Sequence, residues 1–292
     1  MSPPNIIFDT DLLRRRQVRA LPAPADFLLA RAVEDVLDRL SAIKRPFTRI
    51  LDVATPTPAL AQALTLLKPE FLLRAALDPR LCGNGPWDFA PIFNETLPAA
   101  APFDLAVSLL ALQFTNDLPG LLVQIRRALK PDGLFLAAMF GGQTLHELRS
   151  ALAQAESEIL GGASPRVAPF ADLRDMGGLL QRAGFALPVT DIDTITVRYD
   201  HIFALMHDLR AMGATNILSQ RGRKPAPRAL FARAAQIYAQ NFADADGRIR
   251  ATFEIIWLSG WSPDPSQQQP LKPGSAKMRL ADALKVPENK AG

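Results

Sequence analysis

The stretch Ile50 to Leu64, ILDVATPTPALAQAL, constrains the fold of this chain more than any other. Arg49 to Val53, with the run Ile50-Leu51-Asp52-Val53, reads as a buried strand, and Ala59 to Leu67 reads as the helix that follows it. A strand feeding a helix through so short a loop is the opening unit of a parallel α/β sheet. Such folds grip nucleotide-like ligands with glycines in that loop. A missing Cβ lets the backbone approach, and amides at the helix N-terminus meet the ligand's polar end. Here the loop is Ala54-Thr55-Pro56-Thr57-Pro58. Proline has no N–H and fixes φ at about −65°, so Pro56 and Pro58 each remove a donor, and Ala54 adds a Cβ. Pro58 also suits the first turn of a helix, so the loop reads equally as an ordinary β–α connection.

The rest of the chain keeps alternating. Phe71 to Leu77 reads as a strand ending at Asp78, with a Gly/Pro-rich loop from Cys82 to Pro91 and a short strand near Ile92-Phe93. Phe103 to Leu109 is a continuous apolar run suited to a buried parallel strand. A helix over Leu118 to Leu129, a turn at Lys130 to Gly133 and a strand over Leu134 to Phe140 follow. Helices are expected over Thr144 to Ile159, Ala171 to Arg182, His201 to Met212 and Arg228 to Phe242, and strands over Thr190 to Tyr199 and Ala251 to Trp261. Upstream, Asp26 is expected to cap a helix over Phe27 to Leu40, ended by Pro46; residues 1–20 are short and basic. The pattern predicts an α/β fold, a Rossmann-like seven-stranded sheet. Helical insertions at about 141–182 and 201–242 sit within a domain over 46–261, and helices from them cap the sheet's carboxyl edge, where open sheets bind ligands. Residues 1–45 form a basic segment and helix, and 262–292 a Pro/Gln-rich tail.

Composition narrows the classes. The single cysteine, Cys82, cannot close an internal disulfide, which favours a reducing compartment. The three histidines, His146, His201 and His207, show no metal-ligand spacing, so no zinc site is expected. No run approaches the roughly 18 apolar residues of a membrane span, and no secretory leader is legible. A cytoplasmic location is expected, with peripheral contact at the inner membrane open. Arg14-Arg15-Arg16 with Arg19, and Arg221 to Lys224, read as solvated faces or as contacts for an acidic partner, a phosphate or a membrane surface. No nucleic-acid partner is assigned.

Candidate site residues follow from the strand ends. Asp52, Ala54 and Thr55 belong to the first strand and its loop. Asp78 lies roughly 20 residues on, where a carboxylate accepts from ribose hydroxyls. Asn94 and Glu95, within Asn94 to Pro98, offer polar groups to an adenine edge, or a capping turn. Ser108, Gln113 and Phe114 border the fourth strand's end. In FGGQTLHELR, Gly141-Gly142 mark a close approach or hinge, and Thr144 with Glu147 has capping-box spacing. Asp191 and Asp193 are expected to face solvent. No catalytic dyad or triad can be named.

Several segments carry a family likeness: FDLAVSLLALQFTNDLP, LKPDGLFLAAMFGGQTLHELRSAL, GGASPRVAPF, DLRAMGATN, ATFEIIWLSGW, SQQQPLKPGSA and the opening FDTDLLRRRQ. Together they resemble class I S-adenosylmethionine-dependent methyltransferases of the malonyl-acyl-carrier-protein group. The nearest branch is the one with the methyltransferase-fold assembly factor of respiratory complex I. The resemblance spans nearly the whole chain and implies S-adenosylmethionine as cofactor, with Asp52, Asp78, Asn94 and Glu95 matching its contacts. It implies a complex I subunit or another protein as substrate or partner. It leaves open a non-catalytic assembly factor, a malonyl-acyl-carrier-protein O-methyltransferase and a protein arginine hydroxylase. The family's first motif reads like LDLGCGRG; Ala54, Pro56 and Pro58 stand at its glycine positions. That departure predicts weak or absent cofactor binding.

Overall fold

The sheet is built from strands whose burial follows their place in it. In the computed structural model, which describes residues 6–97 and 102–268, these are β1 (Arg49–Val53), β2 (Phe71–Ala76), β3 (Asp88–Pro91), β4 (Phe103–Leu109), β5 (Leu129–Phe140), β6 (Ala186–Tyr199) and β7 (Ile249–Trp261). Their order across the sheet is β3-β2-β1-β4-β5-β7-β6. β1 to β5 run parallel, and β7 lies antiparallel between β5 and β6. β4 is central and buried along its whole length, as its unbroken apolar sequence requires. β6 is an edge strand that alternates exposed and half-covered residues.

Nine helices are described: α1 (Thr10–Ala20), α2 (Phe27–Ser41), α3 (Ala59–Leu64), α4 (Pro79–Cys82), α5 (Leu118–Ala128), α6 (His146–Leu160), α7 (Leu173–Arg182), α8 (Ile202–Ala211) and α9 (Arg228–Phe242). Successive strand residues point to opposite faces, which splits the core in two. Ile50, Leu105, Val107 and Trp257 join α2, α3, α6, α8 and α9 on one face. Leu51, Ala106 and Phe135 join α5 and α7 on the other. This is the Rossmann-like seven-stranded α/β architecture that the sequence pattern predicts.

Several local expectations are corrected. The basic opening is a helix, α1, whose N-cap Asp9 accepts from Leu12 N at 2.9 Å. Asp26 stands at the N-cap of α2 but makes no side-chain cap bond. The third strand lies at Asp88–Pro91, before Ile92 and Phe93; as an edge strand it tolerates Pro91. Residues Lys130–Gly133 belong to β5, with a register shift against β4 between Phe103 and Leu105. Thr144 and Glu147 form no capping box, because Leu145 turns left-handed (φ 54°) and α6 starts only at His146. Thr144 instead bonds both backbone groups of Glu254 (3.0 and 3.1 Å), and Glu147 accepts from the amide and hydroxyl of Thr252. Gly141 is a close approach: a Cβ there would meet Glu254 Oε1 and Ile256 Cγ1. Asp191 and Asp193 pair with Arg39 and Arg31 rather than with solvent alone. Pro98 and the tail beyond 268 lie outside the described residues.

Candidate functional site

The carboxyl ends of β1, β2 and β4 meet the Ala54–Pro58 loop. Ala54 takes φ 58°, the left-handed turn that a glycine would adopt freely. The turn of the loop is therefore kept at the expense of strain in an alanine. Beneath it, Arg74 of β2 stands in register with Asp52 of β1, and both side chains are fully buried. Arg74 Nε lies 3.2 Å from Asp52 Oδ2, close enough for an ion pair. The alignment gives no hydrogen bond, so both Asp52 oxygens and Arg74 Nε lack a hydrogen-bond partner. The guanidinium instead donates to Thr55 O (2.6 Å) and Cys82 O (3.4 Å), tying the loop to the end of α4. Burial pushes the Asp52 carboxyl up, against the pull of Arg74 and Thr55. Thr55 Oγ1 accepts from Leu109 N at 3.2 Å. Arg74 and Thr55 thus hold the loop, with Asp52 as the buried counter-charge of Arg74.

Asp78 is reached from two sides. Arg80 donates through its amide (3.0 Å), Nε (2.8 Å) and Nη2 (2.8 Å), and Arg14 of α1 adds Nη1 at 3.0 Å. The Arg80 side chain above all holds this carboxyl far below the usual carboxylate range. Asp78, Asn94 and Glu95 share an open cleft with Asn116, Asp117 and the N-terminal segment. Glu95 spends both oxygens on the amides of Asn116 and Asp117, 2.6 Å each, so it braces the start of α5. Asn94 takes φ 46° at the cleft wall. Ser108 sits within β4, fully buried, with an unpartnered hydroxyl, and lines none of the cavities described here. The structure thus gathers Asp78, Asn94 and Glu95 at one cleft, places Asp52, Ala54 and Thr55 in and under the loop, and leaves Ser108 apart.

Sequence reasoning missed the strap that closes this edge. Ile7 and Phe8 donate their amides to Asn116 Oδ1 (2.8 Å each), Asp9 N donates to Ile217 O, and Ser219 N donates to Ile7 O. Phe8 packs edge-on against Phe114 at 5.9 Å between ring centres. Behind the strap, Gly213 (φ 68°) lets the chain touch the α1 backbone; a Cβ would meet Gln17 Cα at 2.9 Å. Between Gln17, Pro56, Thr57, Leu110 and Phe114 remains a cavity of about 50 Å³. Arg74 was also missed, although a lone charge inside the apolar run LLRAAL signals a buried pair.

Past Phe114 and Phe140 a second, larger cavity of about 310 Å³ opens under α6, α8 and α9. Its walls are apolar and its rim holds Arg16, Arg166 and Arg210. Among the described residues no helix is long and apolar enough to cross a membrane.

Known proteins of this shape place the chain. Over 96% of its length it is 35% identical to the protein named Arginine-hydroxylase NDUFAF5, mitochondrial, of Danio rerio, 90% of which is covered. It is 34% identical to the Malonyl-[acyl-carrier protein] O-methyltransferase of Laribacter hongkongensis, over 81% of this chain and 83% of that one. The crystal structure of a putative methyltransferase from Bacillus halodurans superposes with a TM-score of 0.54 at 15% identity, covering 79% of this chain and 98% of that one; it speaks for the fold alone. The family model described as "Methyltransferase domain" matches residues 26–188. With a relative aligned over nearly its whole length, the chain belongs to the methyltransferase-domain family.

Proposed function

We propose that this chain is an assembly factor for a respiratory complex, built on a methyltransferase fold and acting on a protein partner, a subunit of complex I. In this reading its S-adenosylmethionine site is degenerate. One observation carries that view: the Ala54–Pro58 loop. A methyl donor's amino-acid end needs amide donors and close backbone approach there. Pro56 and Pro58 have no N–H, Ala54 N is spent on Ala75 O, and Ala59 N on Thr57 Oγ1. The adjoining cavity of about 50 Å³ has room for a few waters. The residues present do not fit that end of the cofactor, and no methyl-transfer step is derived through it. The adenosine end differs: the cleft is open, but Asp78 is engaged by Arg14 and Arg80.

The partner class rests on the resemblance carried by segments such as FGGQTLHELR and DLRAMGATN; the relative from Danio rerio, named an arginine hydroxylase, aligns over 96% of this chain. In cells lacking this chain, the Asp78→Ala variant is expected to restore complex I assembly as the unaltered chain does, and to co-purify the same subunit. Failure of Asp78→Ala at wild-type expression would favour an enzyme that uses this cleft.

A further inference from the structure

The larger cavity has a divided chemistry. Its inner walls come from Leu148 and Leu152 of α6, Leu209 of α8, Phe231 of α9 and Phe253 of β7. Such walls favour a hydrocarbon body through the hydrophobic effect. A volume of about 310 Å³ lies at the low end of small-ligand sites, about 300–1,000 Å³. Its mouth is cationic. Arg16, Arg166 and Asn216 line both the cavity and an outer vestibule that Arg221 and Arg223 complete. No carboxylate lines either one among the described residues.

The acids behind this rim are already engaged. Glu156 holds Arg166 at 2.6 Å and Asp9 holds Arg221 at 3.1 Å. Arg16, Arg210 and Arg223 make no ion pair among the described residues. Arg16 gives Nη1 to Asn216 O, and Arg166 Nε is buried without a hydrogen-bond partner. Burial, then the charges of Arg221 and Arg19, hold the Arg16 guanidinium below its ordinary pKa, with Asp9 opposing. Clustered guanidinium forks with spare donors match a planar or tetrahedral oxyanion. They repel a cation.

We propose that this cavity binds an amphipathic anion: a medium-chain hydrocarbon lies against Leu152, Phe231 and Phe253, and its carboxylate or phosphate head is held between Arg16 and Arg166. The claim rests on the cavity and its rim, and stands apart from the fate of the cofactor loop.

Titration calorimetry of the full chain with decanoate, decyl phosphate, decanol and decyltrimethylammonium, each below its micellar concentration, tests it. At least one anion is expected to bind about tenfold or more tighter than decanol, as charge-assisted pairing predicts, and the cation to bind more weakly than decanol. Comparing decanoate with decyl phosphate identifies the head group. Arg16→Gln with Arg166→Gln removes the preference for the anion. Arg210→Gln, at an exposed position that lines the cavity and makes no ion pair among the described residues, weakens anion binding severalfold and serves if the double variant does not fold. Anions no tighter than decanol, a cation that binds equally well, or undiminished anion binding in folded arginine variants would overturn the assignment.

Discussion

The two ends of one carboxyl edge have gone different ways. Over β1 and β2 the chain fills the edge with its own groups: Arg74 under the loop, Arg14 and Arg80 on Asp78, and prolines where amides would be offered. Over β5 and β7 the insertions leave a lined cavity with an arginine mouth. The same sheet supports both. What differs is the currency of binding. A grip at the first end would rely on backbone N–H groups and missing Cβ atoms, and Ala54, Pro56 and Pro58 supply neither while leaving the strands undisturbed. The second relies on side chains carried by helices, which persist wherever the helices do.

Breaking the filled end at its base gives the largest effect. Arg74→Met strands a buried carboxylate and is expected to destabilise the protein by about 3–5 kcal/mol, while Arg74→Met with Asp52→Leu recovers most of that loss. Chemical denaturation of both variants checks it. Asp52 has its folded pKa raised, so its contribution is fully present below the unfolded value of 3.8 and lost as pH rises through the folded value. The Arg74→Met penalty should therefore grow as pH rises through the folded value.

Asp78 gives a smaller effect of opposite sign. Its folded pKa is depressed, so its stabilisation is present above 3.8 and lost as pH falls below that toward the folded value. Asp78→Asn is expected to lower the thermal midpoint at pH 7, modestly because Arg80 is largely exposed to solvent, and to have little effect once acid has protonated the wild-type carboxyl. Thermal unfolding at a series of pH values reads this out. The smallest change is a gain. Ala54→Gly relieves the left-handed alanine and is expected to stabilise by up to about 1 kcal/mol, net of the glycine's extra chain entropy.

Strands buried on both faces were the most legible part of the sequence. β1 and β4 run over Arg49–Val53 and Phe103–Leu109, the very limits that their apolar runs suggest. α9 likewise keeps Arg228–Phe242. β3 was misplaced because DFAP, exposed or half-covered at the edge, carries no apolar signal. Thr144 and Glu147 showed helix-start spacing, yet their partners lie on β7, more than a hundred residues away, and spacing cannot report that. The candidate site was read by position along strand ends. That pointed to the Asp78 cleft, but it could not show that Asp78 is engaged by arginines from α1 and α4, or that Ser108 lines none of the cavities described above. The cavity over β5 and β7 was legible only as arginines in separate clusters, which no local pattern connects.

The filled end is tested most directly by titrating the purified chain with S-adenosylmethionine in a calorimeter, beside a variant with glycine at positions 54, 56 and 58. The predicted result is no saturable heat for the unaltered chain up to about 1 mM, with measurable binding gained by the glycine variant. Micromolar binding by the unaltered chain would contradict the account.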